Sequence, residues 1–239
     1  MRLIPVVAAA FLLSVSAPAF AQEWIEFASR EDRFTCNFPS QPTITQTTYI
    51  SEFRADLPAH VYSDTQGQSR YSVTVVDYNQ SQRILTERAK ACPPGIERCT
   101  GGPATGEGYW KQDVLGAKLY ATFKFLQRDA KLTHLGYSTM DRVEGHLLQL
   151  TNPDKSRTFA GIYMHENRLY IMEGTVPAGY PEPAFFQQSL GWLDENGIVV
   201  RYESVYINGV PAPPRVNRTE QGQGQDQINA PGVSTGRGR

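Results

Sequence analysis

The chain has 239 residues with 23 Lys plus Arg against 24 Asp plus Glu, a formal net charge of −1, 40% hydrophobic and 11% aromatic residues, and three Cys. That is enough chain for one globular domain with an appendage. The balanced charge leaves no basic field for gripping a phosphate backbone, so nucleic acid is excluded as an expected partner, as are the collagen-like, disulfide-dense and wholly disordered classes.

The first 21 residues carry Arg2, an apolar run from Leu3 to Val15, and Ala17-Pro18-Ala19-Phe20-Ala21 ahead of Gln22. They read as a cleaved secretory signal, with Ala19 and Ala21 at the positions a signal peptidase recognises. The run is shorter than the roughly 20 apolar residues of a membrane-crossing helix, and no later segment is apolar enough to span. The expected organisation is therefore a signal over residues 1–21, one domain over 22–207 and a polar Gly/Pro/Gln-rich tail over 208–239, in a periplasmic or secreted protein with no membrane span after cleavage.

From Trp24 to Tyr78 the pattern is β throughout, with strands expected at 34–38, 43–54, 59–63 and 70–78 and turns at Pro39, Pro42, Pro58 and Gln66-Gly67-Gln68. Alternation in Phe34-Thr35-Cys36-Asn37-Phe38 puts Cys36 on the same face as two Phe rings, as a small buried hydrophobe. A helix is expected next, capped by Asn79 with Gln82 closing a capping box, running through Leu85 and Ala89 and ended by Pro93. In an oxidising compartment Cys92 and Cys99, bracketing Pro93-Pro94-Gly95, are expected to form a disulfide. Pairing of Cys36 with either of them is the rival arrangement.

Thr100 to Gly108 is a Gly-rich loop lacking the Gly-Lys-Ser/Thr of a phosphate cradle. A helix is expected over 110–126, weakened by Gly116. Strands follow at 145–150, 157–165 and 168–173. If Glu166-Asn167 is a two-residue loop, Met164 pairs with Leu169, Ile162 with Ile171 and Tyr163 with Tyr170, so both faces of this hairpin are apolar and both must be covered. Two-sided burial points to helices on each side of the sheet. A last helix is expected through Ala184, Phe185, Phe186, Leu190, Trp192 and Leu193, stopped at Asn196-Gly197, with a returning strand over 198–207.

No constellation specifies a reaction. His60, His134, His146 and His165 fall on four different strands and form no zinc signature; no nucleophile elbow, calcium loop or cofactor motif occurs, so no catalytic residue, no metal site and no cofactor is expected. If a catalytic centre exists it has to converge in three dimensions, and His146, His165 and Glu173 are the candidate acid and base groups for such a hydrolase. Tyr109, Trp110, Tyr180 and Trp192 lie near loop edges where they could line a groove.

The order of features, from Phe34-Thr35-Cys36-Asn37-Phe38-Pro39 through the Asn167-Arg168-Leu169-Tyr170 hairpin to Phe185-Phe186-Gln187-Gln188-Ser189-Leu190, resembles exported bacterial proteins with a PsbP-like domain, over about residues 24–203. The resemblance implies an α+β fold, an antiparallel β-sheet covered by helices on both faces in a three-layer α/β/α sandwich. It also implies a non-catalytic binding or assembly module of the bacterial envelope, with an envelope protein or small ligand of unknown identity as partner and no catalytic residues to carry over. A periplasmic hydrolase is the alternative.

Overall fold

A computed structural model describes residues 24–90 and 108–216. The expected leader and the Cys92 to Cys99 disulfide lie outside them. Seven strands form one antiparallel sheet in the order β3-β4-β5-β9-β8-β7-β6: β3 (Thr43–Ile50), β4 (Asp56–Gln66), β5 (Ser69–Asp77), β6 (Lys131–Met140), β7 (Val143–Thr151), β8 (Arg157–His165) and β9 (Arg168–Val176). A second sheet, in the order β1-β2-β10-β11, consists of β1 (Ile25–Ser29), β2 (Phe34–Phe38), β10 (Gly191–Leu193) and β11 (Val199–Val200). The helices are α1 (Ser81–Lys90), α2 (Gly108–Leu126) and the single turn α3 (Ala184–Gln187).

The β8–β9 hairpin has the register its alternation dictates: His165 pairs with Arg168, Met164 with Leu169, Tyr163 with Tyr170 and Ile162 with Ile171. Its loop residues Glu166 and Asn167 both have positive φ, 46° and 57°. That is the backbone of a two-residue turn whose twist matches the flanking strands. Ala160, Ile162, Met164 and Leu169 point to one face and pack with Leu85 of α1 and with Val114, Ala117, Ala121 and Phe125 of α2. Tyr163, Tyr170 and Met172 point to the other and pack with Phe34, Cys36 and Phe38 of β2, Phe186 of α3 and Trp192 of β10.

Both faces of the large sheet are thus covered, but not by helices on each. The expected three-layer α/β/α sandwich is overturned: α1 and α2 cover one face, and the small four-stranded sheet covers the other. The cause is local. The apolar spacing over 184–193 resembles a helix, yet the helix lasts one turn, because Ser189 Oγ donates to the Phe186 carbonyl (2.8 Å) and accepts from the Asn37 amide (2.9 Å), turning the chain onto β2. Gly191 then pairs with Thr35. A Cβ at Gly191 would lie 2.5 Å from Thr35 Oγ1, so glycine is what lets the two backbones approach as strands.

Smaller departures have similar origins. The first helix is preceded by a 3₁₀ turn, Tyr78–Gln80, and the side chain that caps it is Asp77, which accepts from the Asn79 amide, in place of Asn79 itself. The strand expected to 54 ends at Ile50, where Ser51 Oγ accepts from the Ala55 amide and Arg54 takes a positive φ of 63°. The returning strand over 198–207 shrinks to Val199–Val200. Beyond it Tyr202 and Tyr206 fold back over the β8–β9 turn, with chain contacts running on to Val216. Among the described residues no helix is long and apolar enough to cross a membrane.

Candidate functional site

The three groups proposed from sequence as acid or base are held apart, each engaged elsewhere. His165, at the end of β8, is fully buried. Its Nε2 meets the Tyr202 hydroxyl at 2.8 Å, and the rings of Trp192 and Tyr206 lie 4.9 and 5.0 Å away, centroid to centroid. Burial pushes this imidazole down to about 4, so it is neutral near neutral pH. His146 on β7 is bound through Nδ1 to Thr122 Oγ1 of α2 (2.8 Å), and burial, then the nearby Lys118 ammonium, lower its pKa. Glu173 on β9 takes a two-point contact from the Arg128 guanidinium at 2.7 and 2.9 Å. Among the described residues Cys36 has no disulfide partner and is buried, its thiol pushed up to about 12 by burial, which removes the thiolate a nucleophile requires.

The aromatic side chains singled out near loop edges do not share a groove. Trp192 is wholly buried, its Nε1 donating to the Met140 carbonyl (2.9 Å). Tyr109 packs on Phe53 at the start of α2, while Tyr180 stands exposed beyond β9.

What sequence reasoning missed is a polar cluster built on the turn between β1 and β2. Asp32 reaches β4, where its Oδ2 accepts from the Tyr62 hydroxyl (2.6 Å) and meets His60 Nδ1 (2.7 Å). Its backbone is pinned too: the amide donates to Ser29 Oγ (3.2 Å) and the carbonyl accepts from the Tyr170 hydroxyl (2.8 Å). Burial first, then the hydrogen bond to the Asp32 carboxylate, holds the Tyr62 phenol well above its ordinary range. The cluster borders a cleft of about 330 Å³, lined also by Glu31, Gln46, Asp77 and Arg168. A carboxylate on Nδ1 fixes the imidazole tautomer and leaves Nε2 to accept a hydrogen bond. The hydroxyl of Ser29, however, is spent on Tyr62 (3.0 Å) and not on His60. The arrangement fits binding of a polar group better than relay of a proton to a nucleophile. No spacing rule connects a turn residue at 32 to a strand residue at 60; only the fold brings them together. Among the described residues no cluster of three or more His, Cys, Asp or Glu could hold a metal ion.

The second feature is apolar. On α2 the side chains of Leu115, Leu119, Phe123 and Leu126 are 62%, 67%, 49% and 44% exposed. On the edge strand β6, Leu132, Leu135 and Tyr137 are likewise exposed, Tyr137 at 67%. The two rows adjoin. Lys118 and Thr122 of α2 bind Glu144 and His146 of β7, and those residues pair with Thr139 and Tyr137 of β6. The next helical row out, Leu115 and Leu119, therefore lies on the β6 side of Lys118 and Thr122. Helical spacing alone could have revealed this second stripe, which is offset from the buried one at Val114, Ala117, Ala121 and Phe125.

No family model matches the chain, and no curated protein matches it. Among solved structures the chain is similar to the solution structure of cyanobacterial PsbP (CyanoP) from Synechocystis sp. PCC 6803. The likeness has 13% identity and a TM-score of 0.37, covering 75% of this chain and 98% of that one. The PsbP-like resemblance read from the sequence thus recurs among solved structures. A likeness at this identity and overlap says nothing of what this chain binds.

Proposed function

We propose that the chain is an exported binding or assembly module of the bacterial envelope, which holds a partner and performs no chemistry on it. One observation carries this reading: the apolar face formed by α2 and β6. Its seven exposed side chains offer on the order of 700 Å² of apolar surface, above the roughly 300–600 Å² of the largest patch on a typical monomer. Both internal cores are sealed by other residues, so this surface is not left over from incomplete packing. The engagement of His165, His146 and Glu173 in separate structural contacts supports the same reading over the hydrolase alternative.

The experiment is site-specific photo-crosslinking in the envelope of the host. A photoreactive residue at 119 or 137 is expected to give discrete protein adducts; one at 44 or 50, on the opposite sheet edge, is expected to give none. Adducts absent from 119 and 137, or equally frequent at all four positions, refute the assignment of this face.

A further inference from the structure

Resting on that reading, we infer that the partner seated on the α2–β6 face is a second copy of this chain, joined edge to edge along β6 about a two-fold axis at Gly136. The strand is one of the two edges of the seven-stranded sheet, and among the described residues its outward N–H and C=O groups have no neighbouring strand. Its one irregularity, the register shift between Leu132 and His134, lies at its start and leaves 134–140 regular and without Lys, Arg, Asp or Glu. Protected edges ordinarily carry charges or bulges along their length; this stretch has neither, and nor does the β3 edge, but β6 is the edge that lies beside the exposed apolar row of α2.

The register follows from the side chains. A two-fold axis normal to the sheet pairs residues of one face with the same face of the other copy, so the axis must pass through a residue. At Gly136 no side chain meets its own copy. Leu135 then lies opposite Tyr137 of the second copy, and Tyr137 opposite its Leu135, giving two aliphatic–aromatic cross-strand pairs on the helix-bearing face. An axis at Leu135 would instead set Tyr137 against the irregular start of the strand, and one at Tyr137 would stack two phenols on the axis.

The area agrees. The apolar surface available, at most about 700 Å² per copy, is close to the roughly 800 Å² that each side of a standard protein interface buries. Helix α2 lies over β7 and β8, so the two copies of α2 stand about 20 Å apart across the axis. That gap is too wide for direct helix packing, and Leu115, Leu119 and Tyr137 from both copies border it.

Sedimentation velocity on the chain purified as the host exports it, from about 1 to about 100 μM, tests this. The expected result is a dimer that Leu135→Lys and Tyr137→Lys each weaken at least tenfold, with the folded circular dichroism spectrum kept, while Ile44→Lys on the β3 edge leaves the dimer intact. A wild-type monomer at about 100 μM, or a dimer untouched by both β6 variants, overturns the inference. If the wild type is monomeric and residue 119 still crosslinks to a different protein, the binding-module reading stands without the dimer; if neither association occurs, both fall.

Discussion

His165 is a fully buried imidazole, and its effect on stability has a definite sign. Burial first, opposed by Glu166 and reinforced by Arg215, Arg168 and Arg33, lowers its pKa from 6.5 to about 4 in the fold. Among the described residues Nδ1 has no hydrogen-bond partner, and Nε2 faces a phenol, so the site accommodates a neutral ring and not a cation. A depressed pKa on a base means the unfolded chain takes up the proton first. The neutral ring's contribution is complete above pH 6.5 and is lost as pH falls toward 4, amounting to about 3 kcal/mol when the loss is complete. Urea denaturation at pH 7, 5.5 and 4.5 checks it: wild type is expected to lose stability progressively, and His165→Gln, less stable at pH 7, is expected to lose about 2–3 kcal/mol less over the same interval. His146 shifts in the same direction and remains in both proteins, so it cancels from the difference. Parallel pH curves for the two proteins would mean His165 is not the group responsible. The sequence placed His165 opposite Arg168 correctly, but its aromatic enclosure depends on Trp192, Tyr202 and Tyr206, which arrive from the far end of the chain and leave no local trace.

Among the elements, the β8–β9 hairpin is the one most completely legible, because strand alternation and a two-residue Glu-Asn loop together admit a single register. Asn167 does more than turn the chain. Its amide donates to Asn208 Oδ1 and its side-chain oxygen accepts from Asn208 Nδ2, both at 3.0 Å, and its carbonyl accepts from the Tyr78 amide at 2.9 Å. Asn167→Gly keeps the left-handed backbone and loses the side-chain bonds; Asn167→Ala loses both. The expected costs are about 1 kcal/mol for the first and about 2 kcal/mol for the second, read from denaturation midpoints. Equal costs would show that the positive φ contributes nothing. By contrast the final helix was misread, since Phe186, Leu190 and Leu193 carry helical spacing while Gly191 and the Ser189 side chain decide for a turn and a strand. Hydrophobic spacing registers burial better than it registers the backbone that achieves it: Phe186, Leu190, Trp192 and Leu193 are buried while Ala184 and Phe185 are exposed, and the element is a turn and a strand. The same ambiguity made two-sided burial look like two helical layers, when a small sheet made from both ends of the domain satisfies it equally well.

At the scale of the whole molecule, that small sheet makes the fold depend on chain closure. Strands β1 and β2 begin the domain, while β10 and β11 come from its far end and complete the layer they started. The segment past β11 continues the seal. Tyr202 and Tyr206, both buried and stacked 4.9 Å apart, cover His165. Backbone bonds from Tyr206 to Arg142 and from Glu144 to Tyr206 tie the segment to the β6–β7 turn, and Arg142 also donates to the Tyr202 carbonyl. Truncations should therefore separate into distinct steps. Ending the chain at Val216 removes none of these contacts, and the thermal midpoint is expected to stay within about 2 °C of wild type. Ending it at Ile207, the boundary read from composition, removes the Asn208 bonds to Asn167 and the Arg215 pairs with Glu166 and Asp194, for an expected loss of about 1–2 kcal/mol. Ending it at Val200 uncovers His165 and Trp192 and removes two buried Tyr rings. At about 2–3 kcal/mol for each ring, that loss is on the order of 5 kcal/mol, comparable with the whole stability of a marginal domain. The last variant is expected to be unfolded or to melt far below the others by differential scanning fluorimetry. If it melts with the chain ending at Ile207, the Tyr202–Tyr206 segment is a passenger on the hairpin and the closure of the small sheet at β11 is sufficient by itself.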